Sequence, residues 1–425
     1  MDTRSILGQV YQPRVIDGPL SGALASAGAV VIEGARATGK TMTALNAAGS
    51  YIFLDSPETA KILEVAPRSV LIGESPRLLD EWQLAPELWN LVRRAVDGMS
   101  APGCFILTGS AVPADDITRH SGAGRFVRLR QRTMTWYEKS GHASAGVSLA
   151  ALFDGQLPTP DIDHMPDLGD VIGNLLVPGF PGLAHCPADE SADRLLSYAD
   201  DVSRTDISRI ADIRHRPEVI QQLIRALARS VASEATFTTL ATDVRTVAPT
   251  IDAKTISTYV ELLQRLFVVE AQLPWTPALR SRARVRTSSK HHLVDPALAA
   301  AVLGATPKRL WEDLETLGIL FESAVVHDLT VFATALKGDL RHYRDSNGKE
   351  IDAVVTLPDG RWGAVEVKLG GTRFTDGVKS LDSVIADIDD GSMGKPVFRL
   401  VVTGTGPTLV TDDGAVTAPL SALAP

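Results

Sequence analysis

The stretch AVVIEGARATGKTMTALNAAG, residues 29–49, constrains the chain more than any other. An apolar run, AVVIE, leads into Gly34-Ala35-Arg36-Ala37-Thr38-Gly39-Lys40-Thr41, which is G-x-x-x-x-G-K-T, and then into a helix-compatible segment beginning at Met42. Strand, glycine-containing loop and helix in this order form a phosphate cradle. The glycines let successive backbone N–H groups converge, and the helix N-terminus adds favourable partial charge. Residues 34–42 are therefore expected to bind a nucleotide, with Lys40 on the β- and γ-phosphates and Thr41 on Mg2+. The bland alternative is a glycine-rich turn before an ordinary helix.

Acidic chemistry follows downstream. YIFLD (51–55) reads as a second strand, and PRLLDEWQLAP (76–86) sets Asp80 and Glu81 at the end of a third. Asp80 suits Mg2+ binding and Glu81 activation of water, so turnover of ATP is expected; a solvated acidic pair is the alternative. CFILTGS (104–110) reads as a further strand, ending in Thr108 and Ser110, hydroxyls placed to sense the γ-phosphate or orient the attacking water. Arg125, in HSGAGRFVRLRQR (120–132), follows a flexible loop and is a candidate arginine finger for a neighbouring subunit, which predicts a homo-oligomer. The alternation of Arg128, Arg130 and Arg132 also fits a simple solvated strand face.

With 425 residues the chain exceeds one compact core, and the reading divides it into 1–140, 141–210, 211–295 and 296–425. At 44% hydrophobic and 22% charged it can bury enough surface to fold throughout. A net charge of -9 argues against wholesale wrapping of nucleic acid but leaves room for a local basic patch. Two cysteines, Cys104 and Cys186, are too few for a disulfide framework and read as reduced thiols. The N-terminus lacks a signal-like apolar region and no run of 18 apolar residues occurs, so a cytoplasmic protein without a membrane segment is expected.

The segment from His142 to about Gly182 is rich in Pro, Asp and Gly and reads as a linker or packed loop. Three helix-like segments follow: RPEVIQQLIRALARSVA, TFTTLATDV and DAKTISTYVELLQRLFVVE, the last with Asp252 as N-cap. Three helices and a strand suggest a winged helix. Its candidate wing carries Arg280, Arg282, Arg284 and Arg286 on one strand face, where they could track the phosphates of DNA or RNA. A charged hairpin edge that deters aggregation is the alternative.

The last region begins with the helix-like ETLGILFESAVVHDLTVF, which carries Glu322, and continues with strands near 340–344, 350–357 and 361–368. Strand alternation puts Glu366 and Lys368 on one face, with Asp352 able to join them from the neighbouring strand. Paired carboxylates suit Mg2+ or Mn2+, so Asp352 and Glu366 are candidate metal ligands. Lys368 and Glu322 complete a constellation fit for metal-assisted phosphodiester cleavage. A surface hairpin of alternating charge is the competing reading.

Together GARATGKT, LLDEWQLAP, FILTGS, SGAGR, TISTYVELLQRLFVVE, HHLVDPALAA, KEIDAVV and AVEVK give a chain that resembles a family of bacterial and archaeal ATPases of the AAA superfamily, which carry a C-terminal domain of unknown function. The resemblance implies an α/β fold: an N-terminal P-loop AAA-type ATPase domain, a winged-helix-like central domain and a restriction-endonuclease-like C-terminal domain. It also implies ATP and Mg2+ at Gly34, Gly39, Lys40, Thr41, Asp80 and Glu81, and a PD-(D/E)xK pattern through Glu322, Asp352, Glu366 and Lys368. The Ala-Arg-Ala-Thr turn departs from the family's usual loop, and 142–170 looks like a local expansion. The expected function is an ATPase acting on or binding nucleic acid. The alternatives are an ATP-driven switch whose C-terminal domain binds without cleaving, and an effector in which ATP gates a nuclease.

Overall fold

The computed structural model describes residues 3–8, 10–99, 101–111, 124–142, 146–211, 216–276, 288–388 and 394–425. The chain divides into two compact units. One comprises Met1–Thr133, Arg204–Arg214 and Val260–Val268, and the other Met134–Ser203, His215–Tyr259 and Val269–Pro425.

The first unit is built on five parallel strands, β1 (Ala29–Glu33), β2 (Ser50–Phe53), β3 (Arg77–Asp80), β4 (Phe105–Gly109) and β5 (Phe126–Arg130), in the order β2-β3-β4-β1-β5. Period-two alternation explains its two cores. Val31, Leu79 and Leu107 pack on one side with Trp82, Leu88, Trp89 and Val92. Val30, Ile32, Leu78 and Ile106 pack on the other with Leu20, Ala44 and Leu45. Central strands covered on both faces must be apolar at every position, which is why AVVIE and FILTG read as continuous runs. Because β4 lies between β1 and β3, the C-terminal ends of three strands carry the glycine-rich loop, Thr108 and Asp80 side by side.

The second unit contains β6 (Val147–Ser148), β7 (Val269–Gln272), β8 (Lys290–Leu293), β9 (Asp339–Arg344), β10 (Glu350–Thr356), β11 (Trp362–Lys368), β12 (Phe398–Thr403), β13 (Leu409–Val410), β14 (Val416–Pro419) and β15 (Leu423–Ala424). Six of them form a mixed sheet in the order β13-β14-β12-β11-β10-β9. β9, β10 and β11 run antiparallel, whereas β12 is parallel to β11. The helix Phe374–Ile385 makes the crossover that a parallel pair requires. The 22-residue helix Leu314–Ala335 packs on β9, β10 and β11. By length and composition it could cross a membrane, but 61% of its most apolar window is buried within the fold. A hydrophobic cluster holds the sheet to its crossover helix: Tyr343, Ile351, Val354, Trp362, Ala364 and Val401 against Leu381 and Val384 of the helix and Ile388 just beyond it.

Ile351 and Val354 enter the same cluster although regular alternation would separate them. The register between β9 and β10 shifts between these two residues, and that bulge re-aims Asp352.

The segment 142–182, expected to be loop, contains the helices Leu149–Phe153 and Leu168–Leu176. The second starts at a capping box formed by Asp167 and Asp170 and buries Val171, Ile172 and Leu175. Its nine residues are too few for the periodicity to stand out from the Pro- and Gly-rich flanks. Three helices, Pro217–Arg229, Phe237–Val244 and Ala253–Arg265, precede the antiparallel pair β7–β8 in the chain. Asp252 caps the third, accepting from the Thr255 N–H at 2.8 Å. Arg280, Arg282, Arg284 and Arg286 lie outside the described residues.

Trp362 is 1% exposed and packs on Trp275, the rings tilted by 37° with centroids 4.8 Å apart. Trp362→Ala should therefore cost about 3–5 kcal/mol, read as a lower urea midpoint of the transition that unfolds the C-terminal sheet.

Candidate functional site

The nucleotide candidate lies at the C-terminal edge of β1, β3 and β4. Gly34 follows β1 where a Cβ would run into the Gln131 carbonyl oxygen, so only glycine fits. Ala37 and Gly39 have φ of 66° and 92°, left-handed conformations that curl the loop. The helix Lys40–Ala47 begins at Gly39 with no side-chain cap, which leaves its first N–H groups to an anion. The loop is braced from below. Arg14 Nη1 and Gln131 Nε2 each donate to the Thr38 carbonyl at 3.0 Å, and Arg36 pairs with Asp206 at 3.3 Å. Neither Arg14 nor Gln131 was legible as a site residue, because each meets the loop only through tertiary folding.

Lys40 is buried, and its Nζ donates to the Ala35 carbonyl at 2.7 Å. Burial lowers its pKa to about 8, against the opposing pull of Glu81 and Asp80. Asp80 Oδ1 accepts from both Thr41 Oγ1 at 2.9 Å and Thr108 Oγ1 at 2.5 Å. Burial raises the Asp80 carboxyl to about 6, and the Thr108 and Thr41 hydroxyls partly offset that rise. Glu81 adopts φ 58°, ψ 48°, a left-handed conformation that costs a non-glycine residue energy and marks functional turns. Its N–H donates to Thr108 Oγ1 at 3.0 Å, and its carboxylate accepts from Ser110 at 3.0 Å and from Gln83. Thr41, Asp80, Glu81, Thr108 and Ser110 thus form one hydrogen-bonded set beside Lys40. Met42 is half-buried in the first turn of the helix.

The structure does not bring Arg125 to this set. Its carbonyl accepts from the Ala29 N–H, at the start of β1, while the loop follows the five-residue strand's other end. At the ordinary rise per residue that is roughly 16 Å away. Arg125 Nε pairs there with Asp97 Oδ1 at 2.6 Å.

The C-terminal candidate gathers residues from the helix Leu314–Ala335, β8, β10 and β11. Backbone pairing of Ala353 with Val365, carried one residue further, sets Asp352 opposite Glu366. Asp352 Oδ2 accepts from the Val367 N–H at 2.8 Å, and Lys368 Nζ donates to Glu366 Oε1 at 2.7 Å. Gly377 keeps room here, since a Cβ would lie 3.6 Å from Glu366 Cγ and 2.8 Å from a Val401 methyl. Glu322 accepts from Lys290 at 2.8 Å. Lys290 was not singled out from the sequence. Its burial, along the whole of a four-residue strand, is set by tertiary packing, and no local signal in the sequence marks it.

Glu366 Oε2 is buried without a hydrogen-bond partner; Ser380 lies close enough to favour the charged form but closes no bond of normal geometry on that oxygen. Two facing carboxylates, one with an orphaned oxygen, fit a hard divalent cation that takes its remaining ligands from water and substrate. Among the described residues no group of three or more His, Cys, Asp or Glu side chains is arranged to hold a metal, so the cluster is not a dedicated all-protein cage. Burial raises Glu322 and Glu366 to about 7; Asp352 adds to both shifts, while Lys290 and Lys368 oppose them. Burial likewise raises Asp352.

A carboxyl whose folded pKa lies above its unfolded value stabilises the fold at low pH, and that contribution is lost as pH rises. For Glu366 the window runs from about 4.5 to about 7. Buried His292 and His342, lowered to about 3 and about 4, contribute the opposite slope, so the effect is read as a difference between proteins. Glu366→Gln should melt with the wild type near pH 4.5 and at least about 2 °C above it at pH 8, as measured by thermal unfolding across pH.

Comparison with known proteins gives separate matches along the chain. Residues 26–139 match the model of an AAA domain, and 170–309 and 317–423 match two different domains of unknown function, DUF8612 and DUF4143. No curated protein matches. Solved structures that match include the Walker-type ATPase PABY2304 of Pyrococcus abyssi, at 15% identity and a TM-score of 0.42, over 69% of this chain and 96% of that one. The set built on Lys40, Thr41, Asp80 and Glu81 lies within residues 26–139, and this part of the chain is an AAA-type ATPase domain.

Proposed function

We propose that the protein hydrolyses ATP with Mg2+ and couples this to a C-terminal nuclease-like domain that acts on or binds DNA or RNA. The observation that carries the ATPase half is the convergence of the Thr41 and Thr108 hydroxyls on one oxygen of Asp80, beside Lys40 and Glu81. A hydroxyl and a carboxylate 2.9 Å apart fit Mg2+, which when bound neutralises charge on the β- and γ-phosphates. Lys40 leaves the Ala35 carbonyl to meet those phosphates. Glu81, held by Ser110 and Gln83, orients the attacking water and accepts its proton. Arg125 serves as a finger only toward a second copy, and only after release from Asp97.

Support for the nuclease-like half is the meeting of Glu322, Asp352, Glu366 and Lys368 at the bulged end of a three-stranded antiparallel unit. Asp352 and Glu366 would hold a divalent cation, which when bound polarises a phosphodiester oxygen; Lys368 offsets charge on that phosphate. Arg280, Arg282, Arg284 and Arg286 fall between β7 and β8 in sequence and supply the nucleic-acid contact in this reading. One observation favours the alternative, a switch that binds without cleaving. Each of the three carboxylates already has an internal donor: Lys290, Val367 N–H or Lys368.

Lys40→Ala should abolish phosphate release from ATP, and Glu81→Gln should slow it about 10²–10⁴-fold while ATP still binds. On labelled single- and double-stranded DNA with Mn2+ and ATP, Glu366→Ala should lose cleavage and keep ATP turnover. Turnover without cleavage in the wild type would establish the switch instead.

A further inference from the structure

A buried lysine is rare unless it is paired, and Lys290 is 5% exposed in a strand buried along its whole length. Its position is fixed on two sides. His292, two residues on, meets Ser323 at 3.0 Å, and Gln272, opposite Lys290 in register, donates to the Asp352 carbonyl at 2.8 Å. The β7–β8 pair is thereby pinned both to the helix that carries Glu322 and to the strand that carries Asp352. Lys290 Nζ then sits 2.8 Å from Glu322 Oε1 and within electrostatic reach of Asp352. Asp352 lies within electrostatic reach of two ion pairs, Lys290 with Glu322 and Lys368 with Glu366. Lys368 belongs to the strand motif; Lys290 is an additional positive charge. In a buried pocket a cation between Asp352 and Glu366 feels that charge several-fold more strongly than it would in water.

We infer that Lys290 is a resident counter-cation that competes with a divalent metal ion for the acidic cluster and so sets how tightly the ion binds. The inference rests on the reading of the cluster as a metal-assisted site, and it assigns that site an internal brake. Lysine and metal draw on the same negative charge, so removing the lysine's charge tightens the ion. A lysine that only supports the fold would, when replaced, change stability and leave ion affinity alone.

The test is calorimetric titration of Mn2+ into the full chain without nucleotide, for wild type, Lys290→Met, Lys290→Arg and Glu366→Gln. Thermal unfolding checks each fold. Binding at this site is the part that Glu366→Gln removes. Lys290→Met should tighten that part about tenfold or more, equivalent to about 1.4 kcal/mol, and Lys290→Arg should match the wild type. Lys290→Gln, which keeps a donor for Glu322, replaces the Met variant if the latter does not fold. Glu366-dependent binding that is unchanged or weaker in Lys290→Met and Lys290→Gln overturns the role of Lys290 and leaves the metal site standing. No Glu366-dependent binding in any variant overturns the metal site and, with it, the inference.

Discussion

A buried carboxylate must find a positive charge or a hydrogen-bond donor, and both candidate sites are built around that requirement. In the first unit Asp80 is 6% exposed, and its oxygen takes two threonine hydroxyls, one delivered by β4 and one by the loop helix. Those bonds fix how the end of β3 meets the end of β4 and the first turn of the loop helix. In the second unit Glu322, Asp352 and Glu366 take Lys290, a backbone N–H and Lys368. The solutions differ in kind. Neutral hydroxyls bond Asp80 directly, with Lys40 as the neighbouring positive charge, whereas in the second site ammonium groups bond two of the carboxylates directly.

That difference bears on how each site would receive a metal ion. Hydroxyl oxygens can turn from donors to a carboxylate into ligands of a cation, so Thr41 and Asp80 lose little when an ion enters. An ammonium cannot make that exchange. Entry of an ion between Asp352 and Glu366 requires a lysine to move or the local charge to change, and a phosphodiester brings the negative charge that would favour both. The hydroxyl-held Asp80 and the lysine-paired C-terminal carboxylates follow from the same rule applied to different partners.

The parts of this that were legible in the sequence are those in which neighbours in space are neighbours in the chain. Gly34 to Thr41 is one contiguous loop, and Glu366 and Lys368 are two apart on a strand, so alternation alone puts them on one face. The three C-terminal strands were placed within a residue of where they lie because their apolar runs end at sharp turns. Contacts set by long-range register were not legible. Lys290 meets Glu322 across 32 residues of chain, and in the sequence it reads as the tail of an arginine-rich stretch. Arg125 follows a glycine-rich loop, and parallel pairing of β5 with β1 sets it at the end of the sheet away from the phosphate loop of its own chain. Only the topology decides such a case.

The bulge in β10 shows how one local irregularity serves both stability and chemistry. With regular alternation Ile351 and Val354 would lie on opposite faces, and one would leave the cluster against the crossover helix for the face covered by the helix Leu314–Ala335. The register shift keeps both inside, and the displaced Asp352 binds the Val367 N–H of the next strand. Apolar burial on the crossover-helix side thus holds an acid at the strand end against its desolvation cost, opposite Glu366. Placing a carboxylate where an unpaired one would be unstable takes a rigid apolar sheet beside it, and Trp362, Val354 and Leu381 supply that sheet.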